Sequence, residues 1–306
     1  MATARKQAVL KPKNISRILV PVDFSQNASN AIRQAVFIAK SFMAKIDFIH
    51  VVTPVYAGAS VDIMPTADVF YTKLIKDAEK RMKEIAMDIK NSEGVDIEIV
   101  SAMGVVHDCI LAHAKKIKAD LIIMGTHGTS GIKEFFAGSN AYRVVSDAKC
   151  PVLTIQKRII KKGFKTIVLP ITHQLNSRQK VNLVATLARI YFSKILITGY
   201  ATGKNKSDML KAKQYAAQVE KFLKNEAIDC KTFFIKDENF TKSILDFAST
   251  QKADLVAIMT NNDFSLKQMV NGTYAQQFVN HSKIPVLCSP DTLKFEYSYT
   301  PSLSGI

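Results

Sequence analysis

The 306-residue chain is expected to fold as two α/β domains in tandem, each a doubly wound five-stranded parallel sheet. Three observations predict this. Short apolar runs alternate with segments of helical spacing, the order that gives right-handed crossovers between parallel strands. The stretch Ala119–Met124 is apolar apart from Asp120 at its entry, and its run Leu121–Met124 is continuous, as expected of a strand covered on both faces. The order also restarts half-way: Leu19-Val-Pro-Val-Asp23 is echoed by Val168-Leu-Pro-Ile-Thr172, and Lys118-Ala-Asp-Leu-Ile-Ile-Met124 by Lys252-Ala-Asp-Leu-Val-Ala-Ile258.

In the first copy, strand Ile15–Val22 leads into the polar turn Asp23–Asn27. Residues 28–43 read as helix, because Ala28, Ala31, Ile32, Ala35, Val36, Ile38 and Ala39 recur at helical spacing. Strand Ile46–Val52 follows, then a Pro- and Gly-containing loop at 53–67 and a charged amphipathic helix at 68–91. Val95–Val100 alternates as a half-covered strand, 106–117 is helical, and Ala119–Met124 is the fourth strand. Helix Gly138–Ala148 and strand Pro151–Ile155 close the copy.

The second copy runs through strand Thr166–Ile171, helix 176–192, strand Lys194–Thr198, helix 207–226 and strand Cys230–Ile235. Helix 241–251, strand Ala253–Met259, helix 272–281 and strand Pro285–Ser289 complete it. The offset between copies is 149 residues at the first strand and 134 at the fourth, an excess in the first copy assigned to the 53–67 loop. The boundaries are then a tail 1–14, a domain 15–157, a basic linker 158–165, a domain 166–290 and a polar tail 291–306.

Composition narrows the function classes. No apolar run reaches the ~18 residues of a membrane helix, and the basic N-terminal stretch has no apolar core of a secretory signal. Cys109, Cys150, Cys230 and Cys288 are scattered without a C-x-x-C pair. That argues against a disulfide framework or a zinc site and points to a reducing cytoplasm. The net charge is +16, with 21 basic against 15 acidic residues in 1–157 and 21 against 11 in 158–306. The lysines are spread along helices and loops without interleaved aromatics, the pattern of a solvated basic surface compatible with small anions and not of a nucleic-acid face.

The chemistry concentrates at 119–145. The fourth strand runs into Gly125-x-x-Gly128, and Gly138-Ser139 opens the next helix. Glycines at a strand exit let backbone N–H groups approach an anion, and the helix N-terminus adds unpaired donors and partial positive charge. A turn needing positive φ explains one such glycine, and a Ser able to cap a helix follows the third. Gly125, Gly128, Gly138, Ser139 and Asn140 are therefore expected around phosphates. His127, between the glycines, is read as a contact or bystander and not a catalyst. Parallel sheets bind ligands beyond the strand ends where the order reverses, here between strands one and four. Asp23 at the end of strand one either accepts bonds from ribose hydroxyls or caps the following helix. Pro21 and Val22 would shape a base pocket, and Met124 either touches the base or fills core.

The strand ending in Pro21-Val22-Asp23, the five-stranded module and the Gly-x-x-Gly-x9-Gly-Ser pattern resemble the universal stress protein family, strongly over 15–156 and more weakly over 166–289. The resemblance implies a flavodoxin-like sheet of order 3-2-1-4-5, akin to the adenine nucleotide alpha hydrolase scaffold. It implies ATP as the ligand, with Mg or Mn bridging the phosphates and Val51 in the adenine wall. It also implies domain pairing through the final strands, either as a homodimer or between the halves of one chain. The expected role is regulatory, in a stress response, acting through an unknown protein partner. The alternatives are a slow ATPase or nucleotidyl transferase, and a ligand-free assembly scaffold. There is no Walker G-x-x-x-x-G-K-[ST] pattern, and Lys133 is the one cation in the loop.

The second copy departs at these positions. Thr172 replaces Asp23, Met259 and Asn262 replace Gly125 and Gly128, and Tyr200 replaces Val51; Gly272-Thr273 alone remains of the pattern. The second domain is therefore expected not to bind ATP in the family manner.

Overall fold

The computed structural model describes residues 14–54, 64–126, 139–156, 163–260 and 273–291. The first half contributes β1 (Arg17–Pro21), α1 (Gln26–Phe42), β2 (Lys45–Val52), α2 (Met64–Glu93), β3 (Ile97–Met103), α3 (Val106–Lys116), β4 (Leu121–Gly125), α4 (Ser139–Asp147) and β5 (Val152–Ile155). The second contributes β6 (Thr166–Ile171), a 3-10 turn (Leu175–Arg178), α5 (Val181–Tyr191), β7 (Lys194–Ala201), α6 (Lys206–Asn225), β8 (Cys230–Lys236), α7 (Phe240–Thr250), β9 (Leu255–Met259), α8 (Tyr274–His281) and β10 (Val286–Ser289).

The strands form one ten-stranded sheet, ordered β3-β2-β1-β4-β5-β10-β9-β6-β7-β8. Within each half every pairing is parallel and the order is 3-2-1-4-5. The halves join edge to edge through their last strands: β10 pairs β5 antiparallel, Leu287 opposite Leu153. Two apolar layers sandwich the sheet. One holds side chains of α1, α2, α5 and α6, including Ile32, Met82, Val184 and Leu223. The other holds side chains of α3, α4, α7 and α8, including Ile110, Val144, Ile244 and Phe278. Both faces being covered explains why the central strands read as continuous apolar runs.

The duplication extends to backbone conformation. Thr166 follows Arg17 by 149 residues and Leu255 follows Leu121 by 134. At matching places Met43 and Phe192 end α1 and α5 in the left-handed region, at φ 53° and 52°. Lys118 and Lys252 repeat this at φ 52° and 51° before β4 and β9. A non-glycine residue there costs about 1–2 kcal/mol, so its repetition shows that the helix-to-strand corner, not the residue type, sets the angle.

The structure corrects three expectations. The helix expected at 176–192 is broken into the 3-10 turn and α5, with Gln179 and Lys180 between them. The alternating strand expected at 95–100 runs Ile97–Met103 instead. The loop expected at 53–67 ends at Met64, and its residues 55–63 lie outside the described ones. Because α2 has 30 residues against 20 in α6, the greater length of the first copy is largely helical.

Candidate functional site

The strand order reverses between β1 and β4, which pair through Ile18 and Leu121. Pro21 ends β1, and beyond it the Val22 N–H donates to the Ile49 carbonyl at 2.8 Å. His50 Nδ1–H donates to the Val22 carbonyl at 2.7 Å. Asp23 follows, its Oδ1 accepting from the Ser25 N–H at 3.0 Å. The N-cap of α1 is Ser25, whose Oγ accepts from the Ala28 N–H. Asp23 thus shores up the turn with one oxygen, and its second oxygen takes no partner among the described residues.

Phe24 occupies the left-handed region at φ 61°, a strained conformation for a bulky aromatic residue. Its ring has two partners. The His50 ring centroid lies 5.0 Å away, and the Arg81 guanidinium of α2 sits 4.0 Å over the ring centre. Sequence reasoning missed this three-residue stack, because Arg81 reaches it from a helix remote in the chain.

Gly125 ends β4, paired with Ile155 of β5. A Cβ there would lie 2.8 Å from Asn27 Cβ and 2.9 Å from the Asn27 carbonyl carbon. The glycine lets the entry to α1 lie directly against the end of β4. Next to it Thr126 is buried, its N–H donating to the Ile155 carbonyl. His127, Gly128 and Gly138 lie outside the described residues. Ser139 opens α4 and Asn140 is half-buried in its first turn. Met124 is buried in the core layer formed with α3 and α4. Val51, on the same layer, is only half-buried, as is Val106 at the start of α3.

The matching region of the second half is filled. Thr172 is buried, and its Oγ1 accepts from the Gln174 N–H at 3.3 Å. Met259 is fully buried at the Gly125 position, on the strand against which the 3-10 turn packs. Tyr200, Phe240, Tyr274 and Phe278 stand where the first half has Val51, Val106, Asn140 and Val144. Their rings interlock: Tyr200 to Phe240 at 4.7 Å, Phe240 to Tyr274 at 5.4 Å, Phe240 to Phe278 at 5.5 Å. The Tyr200 hydroxyl donates to the Asp237 carbonyl at 2.5 Å, and burial pushes its pKa up. Each large ring buries about 150–250 Å², and Tyr200 and Phe240 are buried where Val51 and Val106 are only half-buried.

No group of three or more His, Cys, Asp or Glu side chains able to hold a metal occurs among the described residues. No described helix is long and apolar enough to cross a membrane.

Comparison with known proteins places this architecture. The model of the universal stress protein family matches twice, over residues 14–156 and 164–290. The chain is 32% identical over 148 residues to universal stress protein MJ0531 of Methanocaldococcus jannaschii, covering 46% of this chain and 82% of that one. It is 33% identical over 145 residues to universal stress protein A homolog 2 of Coxiella burnetii, covering 47% and 96%. Among solved structures, a universal stress protein from Archaeoglobus fulgidus superposes with a TM-score of 0.72 at 17% identity, over 90% of this chain and 97% of that one. At such identity the likeness speaks for the fold. With both halves matched and the sheet order in place, this chain belongs to the universal stress protein family and carries two copies of its domain.

Proposed function

We propose that the chain binds one adenine nucleotide, ATP, at the carboxyl ends of β1 and β4 in its first half, and that occupancy serves a regulatory output. The observation that carries this reading is the difference between the two switch points. Where the second half packs Tyr200 and Phe240 into the core and ends β9 in Met259, the first keeps Val51 and Val106 half-covered and ends β4 in Gly125. Asp23 would hold the ribose through its second oxygen, and Pro21, Val22 and Val51 would line the base. Gly125, Gly128, Gly138, Ser139 and Asn140 would surround the phosphates, with His127 as a contact. The phosphate assignments rest on the Gly-x-x-Gly-x9-Gly-Ser pattern, the ribose assignment on the turn geometry at Asp23, and Val51 on the resemblance to the family.

A divalent ion, where present, would be carried chiefly by the phosphates, since no group of three or more His, Cys, Asp or Glu side chains able to hold one occurs among the described residues. The second half would act as the structural partner of the first, its last strand already consumed by β5. Phosphoryl transfer is not favoured by any group in view, because it needs a positioned nucleophile and charge stabilisation.

Mass spectrometry of the denatured, purified chain should release about one adenine nucleotide per chain, or titration of stripped protein should saturate at one. No nucleotide by either route would sink the proposal. Saturation at two would remove the asymmetry between the halves.

A further inference from the structure

The entry to the helix after the first strand differs between the halves. Gln26–Phe42 is one helix of 17 residues, with Ala31 fully buried on its sheet-facing side. The matching stretch breaks, and Lys180 stands at the place of Ala31. The Lys180 side chain is nevertheless drawn inside, with 2% of the residue exposed. An ammonium carries three donors. Here Nζ donates to the Ser177 carbonyl of the 3-10 turn and makes no second hydrogen bond among the described residues.

The surroundings supply no counter-charge. The strands under the turn, β6 and β9, contain no charged residue. Arg178 on the same turn points away, its guanidinium stacking over Tyr215 and donating to Gln218 of α6. Arg189 at the far end of α5 pairs with Glu226. Burial alone acts on Lys180 and lowers its pKa to about 7.

We propose that Lys180 makes the entry to α5 a pH-responsive joint, packed into the core while its amine is neutral and driven out when it is an ammonium. The sign follows from linkage. In an opened segment the lysine titrates at its ordinary 10.5, so between pH 7 and 10.5 the open form holds more protons than the packed one. The packed form therefore gains as pH rises through that window and is weakest at pH 7 and below. Cys288 and Tyr200, whose protons burial retains, act oppositely at higher pH, which makes pH 7 to 9 the useful range.

Amide exchange on the full chain, corrected for intrinsic rates, tests this. Protection of residues 175–182 should rise on the order of tens of fold from pH 7 to 9, while residues 26–31 stay flat. Lys180→Met, which keeps the apolar stem, should remove the rise. Equal behaviour of the two segments, or an unchanged rise in the variant, would overturn the proposal. Should Lys180→Met fail to fold, the contrast between the two segments of the unmodified chain decides alone.

Discussion

The two switch points of this protein are built on one strand skeleton and differ in what stands at its carboxyl end. In the first half Gly125 allows Asn27 to lie against β4, α1 starts as a regular helix, and Val51 leaves the opposite face of β2 half-covered. In the second, Met259 is buried at the glycine position, the helix entry becomes a 3-10 turn, and Tyr200 closes into a cluster of four aromatic rings. The difference teaches that a strand end can be filled and its neighbouring backbone displaced while the sheet order stays intact. On the proposed function these two changes are what would deprive the second half of a nucleotide site. The third difference is chemical: Thr172 stands where the first half has the Asp23 carboxylate.

The largest expected effect comes from moving the second half's backbone block into the first. Gly125→Met puts a side chain where even a Cβ would sit 2.8 Å from Asn27. Overpacking of this kind costs about 1–3 kcal/mol of stability. On the proposed function nucleotide affinity should fall by at least about a hundredfold, since the end of β4 and the start of α1 would be forced apart. Calorimetric titration, with amide exchange at residues 26–31, measures both; unchanged affinity with a displaced α1 would refute the role given to the strand exit.

Filling without displacement should weigh less. Val51→Tyr brings in the ring that Tyr200 supplies in the other half, but without Phe240 to pack on. Affinity should drop on the order of thirtyfold, about 2 kcal/mol, with little change in Tm. Retained affinity would place the base elsewhere than against Val51, and the comparison between halves would have to rest on Gly125 alone.

These pairs also show which parts of the molecule are legible in its sequence. The strand order and the duplication are, because they follow from local periodicity and from matching segments such as Lys118–Met124 and Lys252–Ile258. The break before α5 is not. Leu175–Lys180 contains no residue that forbids helix, and the 3-10 turn packs both on β6 and on β9, some eighty residues later in the chain, so local propensity does not announce it. Gly125 was legible as a special position but for only part of its reason, since nothing local announces the approach of Asn27. Phe24 at φ 61° is similarly hidden, because only the stack with His50 and Arg81 explains how an aromatic residue is held there. The alternatives left open at Asp23 narrow in the structure: Ser25 is the cap, and Asp23 braces the turn with one oxygen.

That division of labour gives a third test. Asp23→Asn keeps an Oδ1 to accept from the Ser25 N–H but removes the charge. Affinity for the nucleotide should fall about tenfold, the ~1.5 kcal/mol at the low end for a charge-assisted hydrogen bond, at unchanged Tm. A loss of Tm without a loss of affinity would assign Asp23 to the turn alone, and the two switch points would then differ by shape only.

The smallest effect tests the opposite end of the sheet, where the halves also diverge. In the first half Asp47 is buried on β2, held by Arg17 Nε at 2.8 Å, while Arg17 reaches Glu98 at 2.7 Å. His113 of α3 brings its Nε2 to 3.7 Å from Asp47, near enough to feel the charge but too long for a hydrogen bond. The second half has Leu196 at the Asp47 position and Phe247, packed on Phe233 at 5.0 Å, at the His113 position. Burial lowers the His113 pKa and outweighs the pull of Asp47. A folded-state pKa below the ordinary 6.5 means stability that is present above pH 6.5 and lost as pH falls through the folded value. Urea midpoints between pH 7 and 5 should therefore decline in the unmodified chain and decline less in His113→Phe. An equal decline would mean that the acid sensitivity of the first half lies in its carboxylates, and that the neutral imidazole only fills the space Phe247 fills in the second.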